Sequence, residues 1–198
     1  LHGSSAASDV YKRQQMARTK NRTFGNVMGH VKDITNLNSL TKWVQDQFDT
    51  RLNWDDVKRI KDWWGGKLII KGIMDPDDAK MAQKCGADAL VVSNHGGRQL
   101  DGVNSSISTL PEIKKAVSDI EVLMDGGISS GQDILKAIAM GAEGVMIGRS
   151  FVYGLSAGGK EGVTKSLEIL NKELDMTMAL CGRRDIKDVG RDIIKDCP

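Results

Sequence analysis

A histidine and an arginine three residues apart, His95 and Arg98, lie in a glycine-rich segment of the chain. Histidine is the side chain best able to accept a proton near neutral pH, so His95 is a candidate general base. An arginine guanidinium can bind a carboxylate through two parallel hydrogen bonds, so Arg98 is a candidate for holding an acid. The pair therefore places a base beside a carboxylate-binding group.

The elements around this pair are predicted from hydrophobic patterning. From Asn53 to about Leu180, helical segments alternate with short β-rich runs, which is typical of a parallel β/α architecture. We predict strands at residues 68–70, 89–92, 121–124 and 145–147. The residues at their carboxyl ends are Lys71, Ser93, Asp125 and Gly148. Each polar or glycine-rich cluster thus falls where a parallel strand ends.

Capping residues predict the helices. Asn53 begins a helix that Gly65 ends, and Asp75 with Pro76 begins a helix that Gly86 ends. Further helices are expected from about Ser108, from Gln132 to Met140 and from about Gly162.

An internal repeat supports equivalent β/α units, because residues 86–93 match residues 141–148 in pattern. The carboxyl ends of the strands form the active-site face of a (β/α)8 barrel, and an open doubly wound sheet binds ligands at the same ends. Four strands are half of a barrel that usually takes about 250 residues. We predict an α/β chain that is roughly the C-terminal half of a TIM (β/α)8 barrel.

Composition argues against several classes of protein. The 198 residues carry 28 basic and 26 acidic side chains, which gives no electrostatic footprint for nucleic acid. No apolar run approaches the roughly 20 residues that span a bilayer, and peripheral membrane contact stays open. Three cysteines are too few for a disulfide framework or a zinc cluster. We expect no metal and a cytoplasmic location, with the cytoplasmic face of the membrane as the alternative.

The chain divides into three segments by composition. Residues 1–15 lack an initial Met and are rich in Ser and Ala, so we predict an extraneous leader. Residues 16–52 are predicted to be a partly ordered excursion. Residues 53–198 are predicted to form the half-barrel.

The segment Ser93-Asn94-His95-Gly96-Gly97-Arg98-Gln99 resembles the active-site signature of the FMN-dependent α-hydroxy acid dehydrogenases and oxidases. That family includes L-lactate dehydrogenase, glycolate oxidase and the flavin domain of flavocytochrome b2. The similarity spans roughly residues 53–188, and further matches are Lys71-Gly72, Asp125-Gly126-Gly127, Gly141-Ala142 and Gly148-Arg149. Several motifs in order at strand ends are far more specific than one glycine motif.

The resemblance implies FMN as cofactor and a role for each candidate residue. His95 would take a proton from the hydroxy acid as two electrons pass to the flavin, and Arg98 would hold the substrate carboxylate. Lys71 would lie beside the flavin N1 and C2 carbonyl, where a cation stabilises the reduced ring. The other implied cofactor contacts are Ser93, Asp125, Gly126, Gly127, Ser129, Gly148 and Arg149.

The resemblance also places a phosphate corner at the ends of what would be strands seven and eight. Glycine backbone, a helix N-terminus and Arg149 favour an anion there. The family usually has an arginine where this chain has Ser129. Losing one charge-assisted bond costs about 1.5–3 kcal/mol if nothing replaces it, and the Ser129 hydroxyl is left to donate one hydrogen bond.

The implied substrate is a small 2-hydroxy acid, L-lactate first, and the electron acceptor is a quinone, a cytochrome or oxygen. These motifs do not separate oxidase from dehydrogenase. We expect the full-length protein to be a homo-oligomer. Because the family's first half-barrel supplies further flavin and substrate contacts, we expect these 198 residues alone to bind FMN weakly and to turn over little.

Other interpretations stay open. The chain could belong to another FMN-binding or phosphate-binding TIM barrel, or be a non-catalytic fragment or assembly module whose partner supplies the missing strands. Taken singly, His95 fits a structural loop histidine, Lys71 a strand-end lysine that reaches solvent, and Asp125 an ordinary Asp-Gly turn.

Overall fold

The computed structural model describes residues 42–43, 46–47 and 49–195. The chain separates into two compact units, residues 1–52 and 53–198. All helices and strands named below belong to the second unit. The predicted leader and most of the predicted excursion lie outside the described residues, so these two boundaries stay predictions.

Helices and strands alternate through the second unit. The strands are β1 (Ile69–Ile73), β2 (Ala89–Val92), β3 (Glu121–Met124) and β4 (Gly144–Val145). The helices are α1 (Trp54–Trp64), α2 (Pro76–Lys84), α3 (Ser106–Ala116), α4 (Gly131–Ala139) and α5 (Arg149–Leu180). The strands form one parallel sheet in the order β1-β2-β3-β4. Sequential parallel strands joined by helices are the repeating unit of a (β/α)8 barrel.

Side-chain caps fix where the helices begin. Asn53 accepts hydrogen bonds from the first turn of α1, and the Asp56 carboxylate accepts the Asn53 N–H in return. Gly65 ends that helix in the left-handed conformation, at φ 64°. The Asp75 carboxylate caps α2 by accepting N–H groups of its first turn, and Ser130 caps α4 with the same reciprocal bond, to Asp133. These boundaries follow directly from local sequence.

The structure differs from the predicted pattern at β1. This strand runs on to Ile73, and its register against β2 shifts between Lys71 and Ile73. Gly72 is therefore an extra residue, a β-bulge that re-aims the neighbouring side chain. Such a bulge depends on the partner strand, which a single apolar run does not reveal.

A second difference is the start of α5. This helix begins at Arg149 rather than near Gly162, and Gly158 and Gly159 break it into two parts. The two parts cross where a β-carbon on Gly162 would collide with the carbonyl of Gly154. The short first part has too few residues to show a helical stripe, which explains why the pattern missed it.

The core lies between the inner strands and the helices. Leu90 and Val92 of β2 are fully buried, as are Val122 and Met124 of β3. They pack with Leu110 and Ile113 of α3 in one hydrophobic cluster. The inner strands therefore form a rigid base for the loops that follow them. None of the described helices is both long and apolar enough to cross a membrane.

The internal repeat has a structural counterpart at the amino-terminal ends of the strands. The Asp88 carboxylate pairs with Lys61 of α1 at 2.5 Å and accepts the Leu68 N–H at 2.9 Å. Lys67 adds a second ion pair at 2.8 Å. Equivalent contacts recur one repeat later, where Glu143 pairs with Lys114 of α3 and accepts the N–H of Val122 in β3. Each acidic side chain thus ties a strand to the preceding helix, on the face opposite the loops.

Candidate active site

A cavity of about 1110 Å³ opens at the carboxyl ends of the strands. The predicted site residues that line it are Lys71, His95, Arg98, Asp125, Gly126, Gly127, Ser129, Gly148 and Arg149. Ser93 is the predicted site residue that does not line it. The parallel sheet therefore brings the separate sequence motifs to one wall, as expected for strand ends that share an edge. Among the described residues no cluster of His, Cys, Asp and Glu could hold a metal ion.

The ammonium group of Lys71 is held in place at the cavity wall. Its Nζ lies 2.8 Å from Asp125 Oδ2 at the end of β3, and it donates a hydrogen bond to Ser93 Oγ at 2.9 Å. The bulge at Gly72 lies directly after it. A side chain fixed by partners on two strands presents its charge at a defined point, which is what electrostatic stabilisation requires.

Ser93 lies beneath the cavity, with only 1% of its surface exposed. Its hydroxyl oxygen accepts a hydrogen bond from the Lys71 ammonium and another, at 3.2 Å, from the backbone N–H of His95. Ser93 thus links Lys71 to the loop that carries His95, residues 93–105, called the histidine loop below. Its predicted cofactor contact stays a prediction.

His95 begins a short 3-10 turn, His95–Gly97, directly beyond β2. Its φ is 55°, and it is the single non-glycine residue with positive φ among the described residues. Left-handed backbone costs an L-residue of order 1–2 kcal/mol, so surrounding contacts must hold it there. Strain of this kind concentrates at functional sites.

The imidazole of His95 lies against Gly72. A β-carbon added at Gly72 would come within 2.8 Å of His95 Cε1, and Gly72 itself has φ 103°. Gly72 belongs to the Lys71-Gly72 motif, but the sequence alone indicates no role for it. The structure shows that the ring position requires a residue without a side chain at the bulge.

Arg98 follows the turn and lies exposed on the cavity wall. No ion pair of Arg98 is formed within the part of the chain that the structure describes. Its guanidinium is therefore available to an anion that enters beside His95.

The turn after β3 is shaped for close approach. A β-carbon at Gly126, whose φ is 87°, would lie 3.1 Å from Ser106 Oγ and 3.3 Å from Asn94 Oδ1. Beside this turn, Asp125 Oδ1 is buried and has no hydrogen-bond partner among the described residues. A buried carboxylate oxygen without a donor is costly, so it favours a hydroxyl-bearing ligand at this wall.

The N-terminus of α4 is occupied by the chain's own carboxylates. Asp133 Oδ2 accepts hydrogen bonds from the backbone N–H and hydroxyl groups of Ser129 and Ser130, at 2.9–3.1 Å. Burial raises the pKa of Asp133, but these hydrogen bonds outweigh it and leave the pKa below its usual value. Glu173 of α5 accepts the Gly131 N–H at 2.9 Å. The Ser129 hydroxyl, expected to be left for a ligand, is thus already donating.

The N-terminus of α5 is different, because its N-cap Gly148 provides no side-chain cap. The space around the α-carbons of Gly148 and Gly127 is open. Arg149, the first helical residue, lines the cavity. Free N–H groups, the helix dipole and a guanidinium together favour an anion. The structure thus leaves the N-terminus of α5, rather than that of α4, open to an anion, and the phosphate corner itself stays a prediction.

Comparison with known proteins agrees with this arrangement. Residues 4–196 match the sequence model of the family described as FMN-dependent dehydrogenase. The chain belongs to this family. The predicted family resemblance, FMN as the family's cofactor and the partial (β/α)8 barrel are thereby confirmed.

Among relatives of the FMN-dependent dehydrogenase family, the chain is 46% identical over 178 residues to L-lactate dehydrogenase of Actinobacillus pleuropneumoniae serotype 5b (strain L20), covering 89% of this chain and 47% of the relative. It is 48% identical over 174 residues to L-lactate dehydrogenase of Allorhizobium ampelinum, covering 87% of this chain and 46% of the relative. The chain spans about half the length of the curated relatives it matches.

Solved structures give the same result. The chain is similar to mandelate oxidase with (S)-4-hydroxymandelic acid, with a TM-score of 0.68 and 42% identity over 70% of this chain and 39% of that one. Mandelate oxidase with benzoyl-formic acid matches with the same TM-score and identity over 70% of this chain and 42% of that one. The four units described above are thus part of an FMN-dependent dehydrogenase barrel.

Proposed function

We propose that this chain supplies the base, the substrate arginine and part of the cofactor wall of an enzyme that oxidises an L-2-hydroxy acid, with L-lactate as first candidate, to the 2-oxo acid. The observation that carries the proposal is His95 and Arg98 on one cavity wall with Lys71. Two relatives named L-lactate dehydrogenase and the structural likeness to mandelate oxidase support this class of substrate.

The residues at the cavity fit FMN. Asp125 Oδ1 offers a buried acceptor for a hydroxyl of the ribityl chain, and the open N-terminus of α5 with Arg149 offers a site for the phosphate. Lys71 offers a fixed cation for the ring. When bound, FMN supplies the chemistry of accepting two electrons from the substrate.

Residues of this chain bind the substrate, accept a proton and stabilise charge. Arg98 binds the substrate carboxylate through two hydrogen bonds and so fixes the α-carbon in the cavity. Oxidation of a hydroxy acid releases two protons with two electrons; the His95 imidazole would accept one proton, and the other would pass with the two electrons to the bound flavin. Lys71 would stabilise the negative charge that the flavin ring gains when it is reduced.

The test uses two forms of the protein. The first is the 198-residue chain, and the second is a full-length chimera in which the unmatched remainder of the Actinobacillus relative is joined to this chain. We expect weak FMN binding and little dye-coupled L-lactate oxidation by the chain alone, and robust oxidation by the chimera. His95→Gln in the chimera should reduce kcat by about 10²–10⁴-fold, the usual contribution of a general base.

The alternatives give different results in the same assays. Another FMN-binding barrel would bind FMN in the chimera without oxidising any 2-hydroxy acid. A non-catalytic module would bind no FMN even in the chimera. Full activity of His95→Gln would reject the proposed base.

The electron acceptor is a quinone, a cytochrome or oxygen, and the rate at which each reoxidises the reduced chimera identifies it. We further propose a homo-oligomer in the cytoplasm, with peripheral contact at the cytoplasmic face of the membrane as the alternative. Light scattering of the chimera and its sedimentation with lipid vesicles test these two points.

A further inference from the structure

Asn94, which precedes the proposed base, uses all four of its polar groups on the histidine loop. Its Oδ1 accepts the Gly96 N–H at 3.0 Å, and its carbonyl accepts the Gly97 N–H at 3.0 Å. Its Nδ2 donates to the Asn104 carbonyl at 3.3 Å, and its own N–H donates to Ser106 Oγ at 3.2 Å. Asn94 therefore ties both ends of the loop to each other and to the start of α3.

The loop needs such a constraint because its backbone is strained. His95, Gly96 and Gly97 have φ values of 55°, 68° and 72°, so three consecutive residues adopt left-handed backbone. Glycine adopts this region freely, but His95 does so at a cost. The contact from Oδ1 to the Gly96 N–H spans His95 and closes an Asx-turn around it. Without it, His95 is free to relax toward negative φ and to swing its ring away from Gly72.

We propose that Asn94 is the positioning residue for His95, and that its side-chain oxygen holds the imidazole against Gly72. This inference rests on the proposed function for its catalytic meaning, since His95 matters as a base there. The geometry itself can be tested without turnover. The effect of Asn94 on activity passes through the histidine ring, so Asn94 need not touch substrate or cofactor.

The experiment is a nuclear Overhauser measurement on the isotope-labelled 198-residue chain. His95 Cε1 lies next to Gly72, so a cross-peak is expected between the His95 Hε1 proton and the Gly72 Hα protons. The chain has three histidines, and His95→Gln assigns the signal. The variants are Asn94→Ala, which removes both side-chain contacts, and Asn94→Asp, which keeps an oxygen for the Gly96 N–H. Asn104→Ala is the matched control, because Asn94 contacts only the backbone carbonyl of Asn104.

We expect Asn94→Ala to lose the cross-peak while the cross-peaks between β2 and β3 persist, and Asn94→Asp and Asn104→Ala to keep it. In the chimera, Asn94→Ala should lower kcat at least tenfold with FMN affinity unchanged, and Asn94→Asp should restore part of the rate.

A cross-peak retained in Asn94→Ala would overturn the inference, and so would its loss in Asn94→Asp. If Asn94→Ala fails to fold, the Asn94→Asp result decides alone. If the chimera oxidises no hydroxy acid at all, the proposed function fails, and the cross-peak result still stands as a test of positioning.

Discussion

At the scale of single residues, the site depends on what surrounds His95 as much as on His95 itself. Its type and its spacing from Arg98 were readable from the sequence, and the chain's membership of the FMN-dependent dehydrogenase family agrees with that interpretation. The contacts that place the ring were not readable. Gly72 lies against the ring from the bulge of β1, and the buried Ser93 hydroxyl links the His95 N–H to Lys71, which lies 22 residues before Ser93 in the chain.

The first residue-scale prediction concerns Gly72→Ala. The added methyl group would lie 2.8 Å from His95 Cε1, so the ring must move, and φ 103° adds backbone strain. We expect a loss of stability of about 1 kcal/mol or more and at least a tenfold loss of L-lactate oxidation in the chimera.

Gly65→Ala is the control, because Gly65 has φ 64° but open space around its α-carbon. It should lose similar stability in thermal unfolding and keep its activity. Equal activity losses in both variants would mean that backbone strain, rather than contact with His95, determines the effect.

At the scale of elements, α4 and α5 differ at their N-termini. Carboxylates of the chain accept the N–H groups at the start of α4, whereas α5 has no side-chain cap. The sequence indicated that an anion is favoured near Ser129 and Arg149, but it did not indicate which helix is free. Asp133 closes α4 locally, whereas Glu173 reaches it from α5, 42 residues away. A contact across that separation exists only once the helices pack, so local capping rules cannot predict it.

This difference predicts the effect of Ser129→Arg on cofactor affinity. Restoring the family's usual arginine adds one charge-assisted bond to the phosphate, worth about 1.5–3 kcal/mol, or roughly 10–150-fold in the Kd for FMN. Riboflavin lacks the phosphate, so its Kd should change little. Fluorescence quenching of each flavin by the chimera measures both constants.

Ser129→Ala is the matched variant for this prediction. Because the Ser129 hydroxyl donates to Asp133, its removal should leave the ratio of the two Kd values nearly unchanged. A large loss of FMN affinity in Ser129→Ala would show that the hydroxyl binds the phosphate instead.

The repeated clamp at the opposite ends of the strands predicts a pH dependence of stability. Hydrogen bonds from Lys61 and Lys67 hold the pKa of Asp88 well below its usual range. A carboxylate whose folded pKa is lowered stabilises the fold above its unfolded pKa of about 4, and loses that contribution as the pH falls through the folded value. Asp88→Asn should therefore lower the free energy of unfolding at neutral pH, and the difference from the unmodified chain should shrink below about pH 4.

Urea unfolding at several pH values measures that difference. Asp175→Asn on α5 is the control, because Asp175 makes no ion pair within the described residues. A difference for Asp88→Asn that stays constant down to the most acidic pH would contradict the role of the two lysines.

At the scale of the whole molecule, the sequence predicted the order and direction of the four strands because parallel β/α units carry local signals: apolar runs, caps and glycines after helices. It predicted β2 and β3 at their observed limits, since both are buried inner strands. It was less accurate for the outer strands, where pairing with one neighbour sets the length. The family match and the coverage of about half of each curated relative explain why one wall of a barrel appears here.

We propose that His95 removes a proton from a 2-hydroxy acid held by Arg98 beside FMN. Anaerobic mixing of the FMN-loaded chimera with L-lactate tests it most directly, because loss of the oxidised flavin absorbance reports electron transfer without any external acceptor. We expect rapid bleaching that His95→Gln slows by about 10²–10⁴-fold while FMN stays bound. Bleaching at the same rate in both proteins, or none by any 2-hydroxy acid in the unsubstituted chimera, would contradict it.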